Sequence, residues 1–306
     1  MNVGSTRGGV ADLPLAAALL RGTAPDGGLY VPSLLPRGEV HPPRRPTLHA
    51  SALAVLSPFF AGDRLEPALP AMVAEAFTFP APLVPLHAPG DLVLELFHGP
   101  TAAFKDFGAR FLAACVRRLH LPDGPLRTVL VATSGDTGGA VAAAFHRMPG
   151  VRVVLLYPAG RVSPRQAHPL GAFGDNVSAL RIAGAFDDCQ RMVKAAFADP
   201  TLASLHLTSA NSISLGRLLP QLAYHAHAAW SSGGTLNLVV PTGNLGNAVA
   251  AVWARELGAP IGDIVLATNA NPTLTEFWAS GAYRGRASIA TLANAMDVGD
   301  PSNFER

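Results

Sequence analysis

The sequence contains few cysteines, few charged residues and no long apolar run, and each shortage excludes a class of protein. Its 306 residues include only Cys115 and Cys189, at no metal-ligand spacing, so neither a disulfide framework nor a zinc site is expected. The longest apolar stretches, such as residues 13–20, are far shorter than a transmembrane helix. The first residues also lack the basic and apolar segments of a secretion signal. We therefore expect a cytoplasmic protein without a metal or a membrane partner.

Lysine and clustered positive charge are also scarce. The net charge is +2 and no stretch concentrates basic residues, which argues against nucleic acid as a partner. Of the 23 basic residues, only Lys105 and Lys194 are lysines. Lys194 falls opposite the apolar positions of a predicted helix, so it is expected to face solvent. Those apolar positions are Phe186, Cys189, Val193 and Phe197.

The pattern of the chain predicts two parts. From residue 126 onwards, short β-branched runs alternate with helix-length segments, which is typical of βαβ units on a largely parallel sheet. The predicted strands cover residues 128–133, 152–157, 177–182, 236–241 and 264–268. Residues 1–90 are rich in proline and alanine and predict a leading domain of helices and irregular connections. An α/β domain over residues 91–306 would follow.

Two predicted strand-to-helix turns, residues 133–139 and 241–247, are rich in glycine. Glycines at the carboxyl end of a strand let backbone N–H groups approach an anion at a helix N-terminus. Both turns lack the G-x-G-x-x-G spacing and the G-K-[ST] ending, which disfavours dinucleotides and nucleoside triphosphates. The turns therefore predict phosphate or carboxylate sites, and the glycines of the second turn are expected to leave no room for a Cβ. The alternative is that they only allow tight packing of strand against helix.

Lys105 stands where a helix running to Leu119 is predicted to begin. The positive end of the helix dipole and the neighbouring Phe104 both disfavour the ammonium form, so the pKa of Lys105 is expected to be lowered. A neutral amine can form a Schiff base and move protons, whereas a guanidinium cannot. The alternative is an ordinary solvated lysine paired with Asp106.

These segments resemble those of threonine synthases. Residues 98–106 resemble the active-site lysine segment of that family. Residues 134–138 are similar to its substrate loop, and residues 243–247 to its cofactor-phosphate loop. Further similar segments follow in family order at residues 5–8, 24–30, 157–163, 209–214 and 301–306. The resemblance therefore extends over the chain from end to end.

The resemblance implies a fold-type-II pyridoxal-phosphate enzyme, similar to the tryptophan synthase β subunit. Such a fold has open, mostly parallel α/β sheets with helices on both faces, here with a small N-terminal domain. The implied reaction converts O-phospho-L-homoserine and water to L-threonine and phosphate, and Lys105 would hold pyridoxal 5'-phosphate and move protons. The residues implied to hold the cofactor phosphate are Gly243, Asn244, Leu245, Gly246 and Asn247. Those implied to face the substrate or the ring hydroxyl are Ser134, Asp136 and Thr137, and weaker candidates for the phosphate end of the substrate are Arg161, Asn211 and Ser212.

Members of this family normally continue beyond the Ser-Asn-Phe-Glu-Arg segment with which this sequence ends. The expectation is a catalytic domain that is incomplete at its C-terminus and lacks the group facing the pyridine nitrogen. Two alternatives to threonine synthesis are kept. One is a related phospho-lyase that forms a keto acid without adding water, and the other is a truncated, inactive homologue.

Overall fold

The computed structural model describes residues 1–37 and 40–306. Within these ranges, no helix has both the length and the apolar character needed to cross a lipid bilayer. The strands are β1 (Asn2–Ser5), β2 (Leu13–Pro14), β3 (Tyr30–Pro32), β4 (Leu83–Pro85), β5 (Leu92–Leu94), β6 (Arg127–Ala132), β7 (Val151–Pro158), β8 (Val177–Ile182), β9 (Leu207–Ser209), β10 (Leu236–Pro241) and β11 (Ile261–Ala267).

The α-helices surround these strands. They are α1 (Leu15–Arg21), α2 (Leu48–Phe60), α3 (Leu69–Ala76), α4 (Lys105–Leu119), α5 (Asp136–Phe145), α6 (Pro164–Gly171), α7 (Phe186–Ala198), α8 (Leu215–Leu218), α9 (Gln221–Ser231), α10 (Gly246–Glu256) and α11 (Thr273–Ser280). Short 3-10 helices cover Glu66–Ala68, Pro200–Leu205, Asn294–Met296 and Ser302–Glu305.

Two parallel sheets lie in the part of the chain after residue 126. One has the strand order β8-β7-β6-β9, and in its centre Val129 lies opposite Val153. The other pairs β10 with β11. The turns after β6 and β10 follow strands of different sheets, yet residues of both turns line one cleft. The remaining strands form an antiparallel sheet of order β2-β1-β3 and a hairpin of β4 with β5.

Helices cover both faces of the four-stranded sheet because its side chains alternate between the faces. Val129 and Val131 pack in a core cluster with residues of α4 and α5. Leu130 and Ala132 point the other way and pack against Cys189 and Val193 of α7. This arrangement confirms the α/β fold with mostly parallel sheets that the resemblance implied.

The five predicted strands are present, with ends that differ by at most three residues. The sequence did not predict β9, which has three residues. The prediction that the leading part holds only helices and irregular connections is wrong, because β1, β2 and β3 form a sheet there. These strands have two to four residues, too few for an alternating pattern, and Val3 pairs with positions 13 and 32.

A continuous apolar core joins the leading residues to α4 and α10. Phe60 of α2 meets Phe111 of α4 edge to face, with ring centres 5.9 Å apart. Phe59 stacks on Trp253 of α10 at 6.3 Å. The leading part therefore supports α4, which begins with Lys105. The domain boundary after residue 90 stays a prediction.

Candidate active site

Lys105 is the first residue of α4, and its amine is almost enclosed. Only 12% of its side chain is exposed, and Nζ lies 4.8 Å from the centre of the Phe104 ring. Asp136 Oδ2 lies 3.7 Å from Nζ. Burial lowers the pKa of Lys105; the Asp136 carboxylate opposes this shift, and the Arg217 guanidinium adds to it. The amine therefore loses its proton more readily than that of an ordinary lysine.

Asp106 is fully buried and holds the turn that leads into α4. Its carboxylate accepts hydrogen bonds from the backbone N–H of Thr101 at 2.9 Å and from the Thr101 hydroxyl at 2.8 Å. A Cβ on Gly99 would lie 2.5 Å from Asp106 Oδ2, so this turn packs closely. The alternative of a solvated Lys105 paired with Asp106 does not hold, because Lys105 is buried and its ion pair is with Asp136.

The turn between β6 and α5 is held by its own threonine. Thr133 Oγ1 accepts hydrogen bonds from the N–H groups of Gly135 at 3.0 Å and Gly138 at 2.8 Å. Gly135 has φ of +136°, a backbone conformation that residues with a side chain rarely adopt. Ser134 and Thr137 line the cleft that contains Lys105. This turn therefore presents two hydroxyls beside the amine.

The turn between β10 and α10 presents backbone amides instead. The N–H groups of residues 243–248 have no hydrogen-bond partner within the part of the chain that the structure describes. Leu245 has φ of +61°, which lets the chain bend sharply before α10 begins at Gly246. A helix N-terminus with free amides binds anions, and a phosphate has the charge and the acceptors for it. This turn therefore has the chemistry of a phosphate site.

The glycines of this second turn differ in the room they leave. A Cβ on Gly243 would lie 2.8 Å from the backbone oxygen of Met296 and 3.0 Å from its Cα, so there is no space for it. A Cβ on Gly246 would lie 3.5 Å from its nearest neighbour, Asn303 Nδ2, which is ordinary contact. The protein's own atoms thus exclude a Cβ at Gly243 and leave ordinary room at Gly246. That a bound phosphate leaves no room at these glycines stays a prediction.

Polar side chains support the second turn from behind. Asn244 donates from Nδ2 to the hydroxyl of Ser212 and accepts at Oδ1 from the N–H of Ser302 at 2.6 Å. Asn247 Oδ1 accepts from the Tyr224 hydroxyl at 2.7 Å and contacts His225 Nε2 at 2.8 Å. These contacts fix both asparagine amides, so the turn keeps its shape without depending on solvent.

The predicted site residues are mostly brought together. Those that line one cleft are Lys105, Ser134, Thr137, Asn211, Ser212, Gly243, Asn244, Leu245, Gly246 and Asn247. Asp136 adjoins the cleft through its contact with Lys105. Arg161 is exposed in the segment after β7 and is not among the described residues that line the cleft, so its role stays a prediction.

Three residues that sequence reasoning did not propose also belong to this region. Arg217 lines the cleft and is 2% exposed, and its guanidinium donates to the backbone oxygen of Ala210. Burial lowers the pKa of Arg217 to about 10. Gln166 donates from Nε2 to Asp136 Oδ1 at 2.7 Å. Lys194 is exposed as predicted, but α7 places it at the cleft.

Of these three, Arg217 had a local signal as the sole charged residue between positions 213 and 224, and Lys194 had one as one of only two lysines. The contact of Gln166 with Asp136 joins positions 30 residues apart, which the sequence pattern does not show. No group of three or more histidine, cysteine, aspartate or glutamate side chains within 1–37 and 40–306 could hold a metal ion.

The cleft suits a cofactor with an aldehyde at one end and a phosphate at the other. Lys105 supplies an amine with a lowered pKa, and residues 243–248 supply free amides. Asn211 Oδ1, also in the cleft wall, is buried without a hydrogen-bond partner among the described residues. A buried acceptor without a donor is costly, and a bound molecule with an N–H or O–H group could satisfy it. The residues present therefore fit pyridoxal phosphate and an amino-acid substrate.

Known proteins share this sequence and architecture. A family model described as threonine synthase N terminus matches residues 3–77, and one described as pyridoxal-phosphate dependent enzyme matches residues 76–306. The threonine synthase of Serratia marcescens is 42% identical over 300 residues, which are 95% of this chain and 69% of that relative.

Two crystal structures of threonine synthases superpose on the whole chain. The structure from Escherichia coli has a TM-score of 0.91 at 38% identity, and the match covers 100% of this chain and 72% of that one. The structure of the pyridoxal-phosphate-bound threonine synthase from Brucella melitensis has a TM-score of 0.87 at 40% identity, with 100% and 68% covered.

Proposed function

Because the chain belongs to the threonine synthase family of pyridoxal-phosphate-dependent enzymes, we propose that Lys105 is its catalytic residue. The reaction converts O-phospho-L-homoserine and water to L-threonine and phosphate. One observation carries the assignment of Lys105: a buried amine with a lowered pKa shares a cleft with a run of free backbone amides. The amine and the amides match the two ends of the cofactor.

The turn after β10 is assigned to the cofactor phosphate. Backbone amides of Gly243, Asn244, Leu245, Gly246 and Asn247 would donate to it, and the N-terminus of α10 favours its negative charge. The absence of side chains at both glycines lets the phosphate approach the backbone. The close contact of Gly243 with Met296 keeps this turn in place before the cofactor binds.

Lys105 is assigned the proton transfers at the substrate. Its lowered pKa increases the fraction of neutral amine, which can accept a proton from the substrate carbon next to the amino group. Asp136, 3.7 Å away, stabilises the ammonium that results until the proton is delivered to another carbon. Pyridoxal phosphate, when bound, supplies an electron-withdrawing ring that accepts the negative charge developed in these steps.

The substrate is assigned to the part of the cleft next to Lys105. Ser134 and Thr137 present hydroxyls beside Lys105, and Asn211 and Ser212 of the segment after β9 line the same cleft. Hydrogen bonds from Ser134 and Thr137 would orient the amino-acid part of the substrate for proton transfer. Asn211 and Ser212 are weaker candidates for its phosphate end. Arg161 stays a weaker candidate for the phosphate end because it is exposed outside the cleft.

We further propose that the enzyme works in the cytoplasm on this small molecule, without nucleic acid or membrane as a partner. Its nearly balanced net charge of +2 supports this, because a protein that binds nucleic acid needs a concentrated positive surface. We also propose that the chain consists of a leading domain of residues 1–90 and a catalytic domain of residues 91–306.

The experiment that tests the assignment of Lys105 uses the presence of only two lysines in the chain. Borohydride reduction of the full-length holoenzyme, followed by peptide mapping, should fix the pyridoxyl group on Lys105. Lys105→Ala should lose the yellow colour and threonine formation, and Lys105→Arg should lose both while it keeps the positive charge. A pyridoxyl group on Lys194 would show that the assignment is wrong.

Product analysis separates the proposed reaction from phosphate elimination alone. O-phospho-L-homoserine should give L-threonine and inorganic phosphate in equal amounts. Accumulation of 2-oxobutyrate in place of threonine would indicate a phospho-lyase, which adds no water at the β-carbon.

A further inference from the structure

One side of the cleft is formed by a stripe of α7. Phe186, Gln190, Val193 and Lys194 all line the cleft. Positions separated by four, seven and eight residues lie on one side of a helix, so these side chains form a continuous surface. Val193 also packs under the four-stranded sheet, which fixes the helix against it. The exposed face that carries Lys194 is therefore the entrance side of the active-site cleft.

Three cationic side chains line this cleft. Lys105 lies beside Asp136. Arg217 is buried and donates to the neutral backbone oxygen of Ala210, and its Nε has no partner among the described residues. Lys194 is the third, and it forms no ion pair or hydrogen bond with any residue that the structure describes. No aspartate or glutamate is among the described residues that line the cleft. The cleft entrance therefore carries a positive charge that the protein does not neutralise.

Resting on the proposed function, we propose that Lys194 binds the phosphate group of the substrate and holds it as it leaves. The cofactor phosphate takes the amides after β10, so a second phosphate needs another partner within the cleft. The location favours Lys194 over Arg161, which lies outside the cleft.

A lysine suits this task better than an arginine would. Its ammonium is a point charge with three donors on a flexible four-carbon stem, so it can follow a phosphate that moves away from the substrate carbon. A guanidinium binds with a rigid, planar fork. Of the 23 basic residues in the chain only two are lysines, and both line this cleft. Every other basic residue of the chain is an arginine.

The test compares Lys194→Gln, Lys194→Arg and a matched control, Arg191→Gln, in the holoenzyme. Arg191 lies on the same helix, is exposed and pairs with Asp188, so its loss removes an equal charge outside the cleft. Inorganic phosphate is titrated into each protein by calorimetry, and KM and kcat for O-phospho-L-homoserine are measured. Cofactor absorbance and melting temperature verify that every variant is folded and loaded.

The expected result is that Lys194→Gln weakens phosphate binding about tenfold and raises KM by a similar factor, which is about 1.4 kcal/mol. Lys194→Arg should recover most of the affinity, and Arg191→Gln should bind phosphate like the original protein. Unchanged phosphate affinity in folded, loaded Lys194→Gln would overturn this inference even if threonine is formed. Failure of the original protein to form threonine would instead overturn the proposed function, whatever the phosphate titration shows.

Discussion

The two glycine-rich turns look alike in the sequence but differ in what holds them. In the turn after β6, the Thr133 hydroxyl accepts hydrogen bonds from two of the N–H groups, so the protein supplies part of the anchoring itself. In the turn after β10, the amides of residues 243–248 have no acceptor among the described residues, and the side chains of Asn244 and Asn247 are fixed from behind.

The difference separates two tasks. A turn whose amides are bonded to the protein is rigid before a ligand arrives, and it can present side chains such as Asp136 at a fixed place. A turn whose amides are free gains its hydrogen bonds from the ligand. Changes in the first turn should therefore alter protein stability or proton transfer, whereas changes in the second turn should alter cofactor affinity.

The largest effect is expected at Thr133, which is 1% exposed. Thr133→Val keeps the shape of the side chain but leaves the N–H groups of Gly135 and Gly138 without an acceptor. Each unsatisfied buried donor costs about 1–3 kcal/mol, so the free energy of unfolding should fall by about 2–6 kcal/mol. Chemical denaturation of the apoprotein measures this loss. Thr133→Ser keeps the hydroxyl and is the control, and equal stability of the valine variant would contradict the anchoring role.

The next largest effect concerns His225, which supports the second turn through Asn247. Burial lowers the pKa of His225 from 6.5 to about 4. Between these values the unfolded chain binds a proton at this histidine and the folded chain does not, so stability is lost as the pH falls through this range. The loss amounts to about 3 kcal/mol.

The measurement is the free energy of unfolding of the original protein and of His225→Gln between pH 7 and pH 4. The glutamine variant stays uncharged, so the difference between the two proteins should depend on pH below 6.5. A difference that is constant over this range would show that His225 is not held neutral behind the turn.

A smaller effect is expected at Gly243, and it acts on binding. Gly243→Ala places a methyl group 2.8 Å from the backbone oxygen of Met296, which cannot move aside as a flexible side chain could. Overpacking costs about 1–3 kcal/mol, so pyridoxal phosphate should bind about 10- to 100-fold more weakly. Gly246→Ala meets only ordinary protein contacts and is the matched comparison. Tight cofactor binding by Gly243→Ala would show that this turn does not bind the cofactor phosphate.

Local signals in the sequence predicted much of this site. The start of α4 at Lys105 and the strands before both turns follow from apolar periodicity and glycine positions, which are properties of neighbouring residues. The resemblance of segments to threonine synthases then assigned the cofactor and the reaction. The comparisons confirm the family, the fold and the cofactor class.

The parts that could not be predicted depend on residues far apart in the chain. Asn294 reaches Gln166 across 128 positions, and Met296 limits the room at Gly243. The periodic pattern predicts that Lys194 is exposed, which the structure confirms, but it does not show that this face of the helix lines the cleft. Such contacts arise from tertiary packing, and a single sequence carries no local record of them.

The smallest effect is expected at Asp136 of the first turn, which acts on the protonation of Lys105. Asp136 raises the pKa of Lys105, opposing the shift caused by burial. Asp136→Asn removes that contribution, so the pKa of Lys105 falls further and more of the amine is neutral at a given pH. A neutral amine must attack the cofactor aldehyde, so the rate at which the cofactor is bound covalently falls at acidic pH. This fall, the acid limb of the pH profile of the rate, should move to lower pH in Asp136→Asn.

Stopped-flow absorbance of apoprotein mixed with pyridoxal phosphate at a series of pH values measures that limb. Asp123→Asn, an equal change of charge in an exposed turn, should leave it in place. Gly243→Ala should weaken equilibrium binding without moving the limb, because the second turn contributes amides and no titrating group. A limb that moves to higher pH in Asp136→Asn, or moves equally in Asp123→Asn, would show that the carboxylate does not control the proton on Lys105.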